Sequence, residues 1–225
     1  MPPSEWLINE PEEPQGEAKA TPAATLVLAP GAGGTMESHP LDYFAREWAA
    51  RGIRVVRFEF PYMRARRIEG KRRGPDRPEV LLEVWRDVVR ELALPLAASG
   101  QGGGAKLVIG GKSMGGRMAS MIADEVGARG LVCLGYPFHP PGKPQQLRTK
   151  HLASLQTPTL IVQGQRDPFG TPAEVAGYAL SQCIRVQWIA DGDHSFKPRK
   201  SSGRTEKQNL NDVVNAVDEF VASLR

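Results

Sequence analysis

A chain of 225 residues suits one domain, and 40% hydrophobic residues suffice for a buried core. No run approaches the length of a membrane span, the opening MPPSEWLINE shows no basic start followed by an apolar stretch, and the two cysteines, Cys133 and Cys183, make neither a metal spacing nor a disulfide framework; a soluble, cytoplasmic protein with free thiols is expected. The net charge of +4 names no partner, yet Arg64, Arg66, Arg67, Lys71, Arg72, Arg73 and Arg77 crowd one stretch that only Glu69 and Asp76 oppose.

Residues 1–22 are rich in Pro, Glu and Gly and read as a lead-in, partly disordered, in which Trp6-Leu7-Ile8 is a candidate outer strand. Residues 23–225 then alternate. Strands are expected near 25–29, 54–60, 106–110, 130–135, 158–163 and 184–189, and helices near 41–51, 79–98, 116–127, 172–182 and 207–224. That order predicts an α/β fold with a mostly parallel sheet of six or seven strands, helices on both faces and ligands bound beyond the carboxyl ends of the strands. Residues 64–77 fall between elements and read as a basic loop. The connection from Tyr136 to Leu155 is short and holds Pro137, Pro140, Pro141 and Pro144, which excludes a large cap domain.

Leu107-Val108-Ile109 runs into Gly111-Lys112-Ser113-Met114-Gly115, the G-x-S-x-G spacing of a nucleophile elbow. The serine must sit on a sharp strand-to-helix turn, where a Cβ two residues before or after it would strike the neighbouring backbone. Glycine removes both collisions. The remaining members of such a site follow in the chain order that the motif requires. Asp167 comes in a polar turn after Thr159-Leu160-Ile161-Val162, and His194 comes after Val186-Gln187-Trp188-Ile189 in Asp193-His194-Ser195-Phe196. A neutral serine hydroxyl needs a base to take its proton, and a carboxylate fixes the base's tautomer. His194 is the candidate base and Asp167 the candidate acid, with Asp191 and Asp193 as rivals that can instead brace the histidine turn.

Two phosphate motifs fail against the same glycines. A Walker A loop ending in Gly111-Lys112-Ser113 needs glycine where Lys106 stands, and a dinucleotide fingerprint starting at Gly31 needs glycine where Met36 stands. His39, His139 and His151 keep no metal spacing, so no metal and no cofactor are expected.

In combination these residues resemble an α/β-hydrolase of the dienelactone-hydrolase-like kind. A narrower likeness is to the group that includes the testis-expressed hydrolase-like proteins and a regulatory subunit of a histone acetyltransferase complex. It rests on Ala29-Pro30-Gly31-Ala32-Gly33-Gly34, His39-Pro40, Phe60-Pro61-Tyr62-Met63, the Gly-Lys-Ser-Met-Gly-Gly elbow, Gly135-Tyr136-Pro137 and Asp193-His194-Ser195-Phe196. The likeness implies an oxyanion hole built from the backbone N–H groups of Ala32 and Met114, although Gly31 to Gly34 also suits an ordinary strand-to-helix turn. Gly33, His39, Tyr62, Met63, Arg66, Lys112, Tyr136, Phe138 and Phe169 are candidate substrate contacts. For His39 capping of the following helix is the alternative, for the aromatic residues cover for the core, and for Lys112 an ammonium pointing to solvent.

The leading expectation is a lidless serine hydrolase, monomer or homodimer, that acts on a small or anionic ester or thioester with Ser113, Asp167 and His194 as its triad. The first alternative is a non-catalytic interaction module on the same fold. The second is a polyanion binder using the 64–77 stretch, which lacks the interleaved aromatic residues of a single-strand platform; no nucleic-acid or membrane partner is expected.

Overall fold

In a computed structural model, residues 5–11, 22–70, 73–98 and 106–224 are described. Seven strands form one sheet in the order β1-β3-β2-β4-β5-β6-β7. They are β1 (Leu7–Asn9), β2 (Ala24–Ala29), β3 (Ile53–Arg57), β4 (Lys106–Lys112), β5 (Gly130–Leu134), β6 (Thr159–Gly164) and β7 (Ile184–Ile189). All neighbours run parallel except β1, which pairs antiparallel with β3 and sets Leu7 opposite Arg57. This outer strand takes Leu7 and Ile8 of the candidate segment and extends to Asn9, with Trp6 in a bend before it.

The parallel strands β2 to β6 are buried on both faces, and their side chains divide with period two between two cores. Leu26, Val55, Val108, Val132 and Leu160 point to one side, where α1 (Leu41–Ala49) brings Phe44 and Trp48 and α6 (Glu206–Ser223) brings Val213, Val217 and Phe220. The Trp48 Nε1–H donates to the Val214 carbonyl at 3.1 Å and locks those two helices together. On the opposite side Val27, Val56, Ile109, Leu131 and Ile161 meet Trp85 of α3 (Pro78–Ala98) and Met118 of α4 (Met114–Ser120). The edge strand β7 alternates half-buried and exposed residues, with Arg185 and Gln187 toward solvent. Among the described residues, no helix is long and apolar enough to cross a membrane.

Three local expectations need correction. The first part of the supposed basic loop, residues 64–69, belongs to a helix, α2 (Pro61–Glu69), started by a proline in its first turn and stopped by Gly70 in a left-handed conformation. α4 ends at Ser120, and residues 121–127 continue as turns. The helix expected over 172–182 is only α5 (Pro172–Val175), because the N–H groups of Gly177 and Tyr178 bond back to Glu174 and Val175 as tight turns. Lys71 and Arg72 lie outside the described residues.

Candidate active site

The carboxyl ends of β2, β4, β6 and β7 bring the candidate residues to one edge of the sheet. Ser113 follows β4 with φ 51° and ψ −114°, a conformation costing about 1–3 kcal/mol for a residue with a Cβ. The turn is held from both ends: the Ser113 N–H donates to the Leu134 carbonyl at 3.0 Å, and the Arg117 N–H bonds back to the Ser113 carbonyl at 3.0 Å. The flanking glycines are required. A Cβ on Gly111 or on Gly115 would lie 2.2 Å from the Ala29 carbonyl oxygen.

Asp167 is fully buried in the turn after β6, where its carboxylate collects donors. Oδ2 accepts from His194 Nδ1 at 2.7 Å and from Gln163 Nε2 at 2.9 Å, and Oδ1 accepts from the Phe169 N–H at 2.9 Å. With Nδ1 donating to the carboxylate, Nε2 of His194 keeps its lone pair free. The ring is further held by Phe169, whose centroid is 4.3 Å away at an interplanar angle of 37°. The rival carboxylates are engaged elsewhere. Asp191 is bound by Arg199 and Arg166, and Asp193 accepts from the Ser195 and Lys197 N–H groups to brace the histidine turn.

Ser113 and His194 line a cavity of about 430 Å³ together with Gly31, Ala32, Gly33, His39, Lys112 and Phe169. Among the described residues, His194 bonds Asp167 and no Ser113–His194 hydrogen bond is present. Ser113 also borders a second cavity of about 350 Å³ on its other side, whose walls include Ala32, Met114, Arg117, Pro137, Arg148 and Phe169. Among the described residues, neither the Ala32 nor the Met114 backbone N–H has a hydrogen-bond partner, which leaves both beside Ser113 as free donors.

Of the other candidate contacts, Gly33, His39, Lys112 and Phe169 reach a cavity wall, whereas Tyr62, Met63, Tyr136 and Phe138 do not. Those four are packed into the core on the α3–α4 side, because their aromatic and thioether surfaces fill the space under the strand ends. Two of them act through their polar atoms. The Tyr62 hydroxyl donates to the Ala32 carbonyl at 2.9 Å, and the Tyr136 hydroxyl donates to that of Arg148 at 2.9 Å. Arg66 joins Tyr62, its Nη1 lying 3.0 Å from the same Ala32 oxygen. Arg67 pairs with the buried Glu59, Arg64 with Glu5 and Arg73 with Glu69, so these guanidinium groups are occupied within the protein.

Lys112 borders the Ser113 cavity but does not send its ammonium to solvent. Its stem passes the Gly31 turn and its Nζ is buried without a hydrogen-bond partner, 5.8 Å from the centre of the Phe196 ring. A Cβ added to Gly135 would lie 2.8 Å from that Nζ and 3.3 Å from His194 Cε1, which locates the lysine behind the histidine ring. Burial drives its pKa down to about 8, against the opposing pull of Asp167 and Asp193.

A family described as an alpha/beta hydrolase domain matches residues 22–222. The chain belongs to that family. This hydrolase domain also shares its fold with solved structures of low sequence identity. A dienelactone hydrolase from Anabaena variabilis is 20% identical with a TM-score of 0.71, covering 98% of this chain and 92% of its own. An alpha-beta serine hydrolase homologue from Coxiella burnetii is 19% identical with a TM-score of 0.68, covering 98% and 91%. A serine hydrolase without a lid from Xanthomonas campestris is 20% identical with a TM-score of 0.67, covering 96% and 87%. The hydrolase domain likewise lacks a cap: between β5 and β6 it has only turns and one short 3-10 segment, Lys150–Ala153.

Proposed function

We propose that this chain is a serine hydrolase acting on esters or thioesters, with Ser113 as nucleophile, His194 as general base and Asp167 as the group that orients it. The observation that carries the proposal is the 2.7 Å bond from Asp167 to His194 Nδ1 beside a serine held at positive φ on the same cavity. Ser113 Oγ attacks the carbonyl carbon as its proton passes to His194 Nε2, and the carbonyl oxygen becomes an oxyanion facing the Ala32 and Met114 N–H groups. Collapse of that intermediate breaks the bond to the alcohol or thiol, which leaves with the proton from Nε2. Water then attacks the acyl-serine, giving its proton to His194 and releasing the acid and Ser113.

Cavities of about 430 and 350 Å³ on either side of Ser113 suit a small acyl group and a small leaving group. The narrower kinship with the testis-expressed hydrolase-like group belongs to the same proposal and rests on the elbow, glycine-turn and Asp-His-Ser-Phe residues. A cytoplasmic location belongs to it too, supported by the free thiols of Cys133 and Cys183. The test is steady-state and burst kinetics on a panel of short-chain 4-nitrophenyl esters and acyl thioesters. An acylation burst lost in Ser113→Ala is expected. A folded protein with no turnover of any member would favour the interaction module.

A further inference from the structure

The cavity on the α3 side of Ser113 has two cations in its wall and nothing anionic paired with them. Arg117 stands one helical turn beyond Ser113 on α4, and Arg148 comes from the connection between β5 and β6. Among the described residues, neither guanidinium forms an ion pair or a side-chain hydrogen bond, and Arg117 Nε is buried without a partner. This is unusual in a protein whose other partly buried arginines near the site, Arg66, Arg67 and Arg57, all hold an acceptor. The Arg148 cation is also held unfavourably. Burial lowers the pKa of Arg148 and the charge of Arg117 lowers it further, while burial and Arg117 together push His151 down to about 4. His151 is thereby neutral. It bonds Ser120 Oγ at 2.8 Å and brings no charge to the site.

Two adjacent, partly desolvated guanidinium groups without a counter-ion are a cost that a bound anion removes. Resting on the serine-hydrolase reading, we infer that Arg117 and Arg148 form a subsite for a carboxylate carried by the substrate, so that the scissile bond at Ser113 belongs to an ester bearing a free acid a few bonds away. The one acidic residue on this wall, Asp76, has Oδ2 engaged by the Tyr62 N–H and leaves the pair with one net positive charge. That balance matches a carboxylate better than a phosphate monoester, which carries about −1.5 to −2 near neutral pH. Glutarate and adipate half-esters, in which three and four methylenes separate the scissile carbonyl from the acid, carry both groups on one small molecule.

The experiment has a kinetic arm and a binding arm. The wild-type chain is given 4-nitrophenyl monoadipate, the neutral 4-nitrophenyl hexanoate and an ammonium-bearing ester of similar length. A kcat/KM preference for the acid over the neutral ester of about tenfold or more is expected, with the cation disfavoured. Arg117→Gln with Arg148→Gln is expected to erase that preference, and Arg117→Lys with Arg148→Lys to keep part of it. In the second arm, glutarate binding to the folded Ser113→Ala protein is followed by calorimetry, with inorganic phosphate as competitor. Glutarate should bind, bind at least tenfold more weakly once both arginines are glutamine, and be displaced only poorly by phosphate. No wild-type preference for the acid, or glutarate affinity unchanged by the double substitution, overturns the subsite; stronger binding of phosphate overturns its assignment to a carboxylate. If glutarate binding depends on the arginines while no ester is turned over, the subsite stands and the hydrolase reading alone fails.

Discussion

The Tyr62 hydroxyl donates to the Ala32 carbonyl at 2.9 Å, fastening helix α2 to the glycine turn beside Ser113. Burial raises the phenol's pKa, so it remains a donor throughout the working pH range. The same oxygen receives Arg66, and the Ala32 N–H has no hydrogen-bond partner among the described residues. Under the proposed mechanism this anchor sets where that N–H points.

Tyr62→Phe removes one anchor without removing the ring. A hydrogen bond contributes about 1 kcal/mol, and a displaced oxyanion donor acts on the transition state more than on substrate binding. kcat is expected to fall by about fivefold to tenfold with KM nearly constant, and Tyr62→Phe with Arg66→Ala to fall further. A rise in KM alone would place α2 in substrate binding instead.

Replacing the acid separates it from its neighbours in sequence. Asp167→Asn should lower kcat by about a thousandfold or more, because the amide can impose the wrong tautomer on His194. Asp193→Asn, which alters a brace of the turn, should cost far less. Equal losses in steady-state assays would remove the distinction drawn from the 2.7 Å contact.

Gly115→Ala tests the close packing of the elbow against β2. The added Cβ would lie 2.2 Å from the Ala29 oxygen and 2.6 Å from that of Pro30, both backbone atoms, and about 3 kcal/mol or more of stability should be lost. Gly33→Ala meets nothing within 4 Å and should change stability by about 0.5 kcal/mol or less. Urea unfolding of the two variants gives the comparison.

The elbow, the alternation of strands and helices and the separate turns carrying Asp167 and His194 were legible because glycine spacing and apolar runs are local signals. Helix α2 was not, since among its residues only Tyr62 and Met63 are buried and Ile68 is exposed, leaving arginines without an apolar period. Pro61 and Gly70 were the available start and stop signals. The buried position of Lys112 depends on the crossing of β4, the Gly31 turn and the histidine turn, and the meeting of Arg117 with Arg148 depends on where the β5–β6 connection folds back. Neither leaves a spacing in the sequence.

Lys112 gives a pH-dependent prediction. Its pKa is lowered by burial to about 8 from the usual 10.5, so between those values the unfolded chain binds the proton and the folded chain does not. Stability owing to this residue therefore rises as pH goes from about 8 to 10.5, and below pH 8 the buried ammonium opposes folding by about 3 kcal/mol. Lys112→Met should be more stable relative to wild type at pH 7 than at pH 11. A difference that does not change with pH would contradict a buried ammonium.

The most direct measurement is covalent labelling with a fluorophosphonate, which traps an activated serine as a phosphonylated adduct, followed by peptide mass spectrometry. One label per chain at Ser113, lost in Ser113→Ala and reduced to background in His194→Ala, is the expected result. A folded wild-type protein that takes up no label, or takes it up at another residue with Ser113 unmodified, would contradict the account.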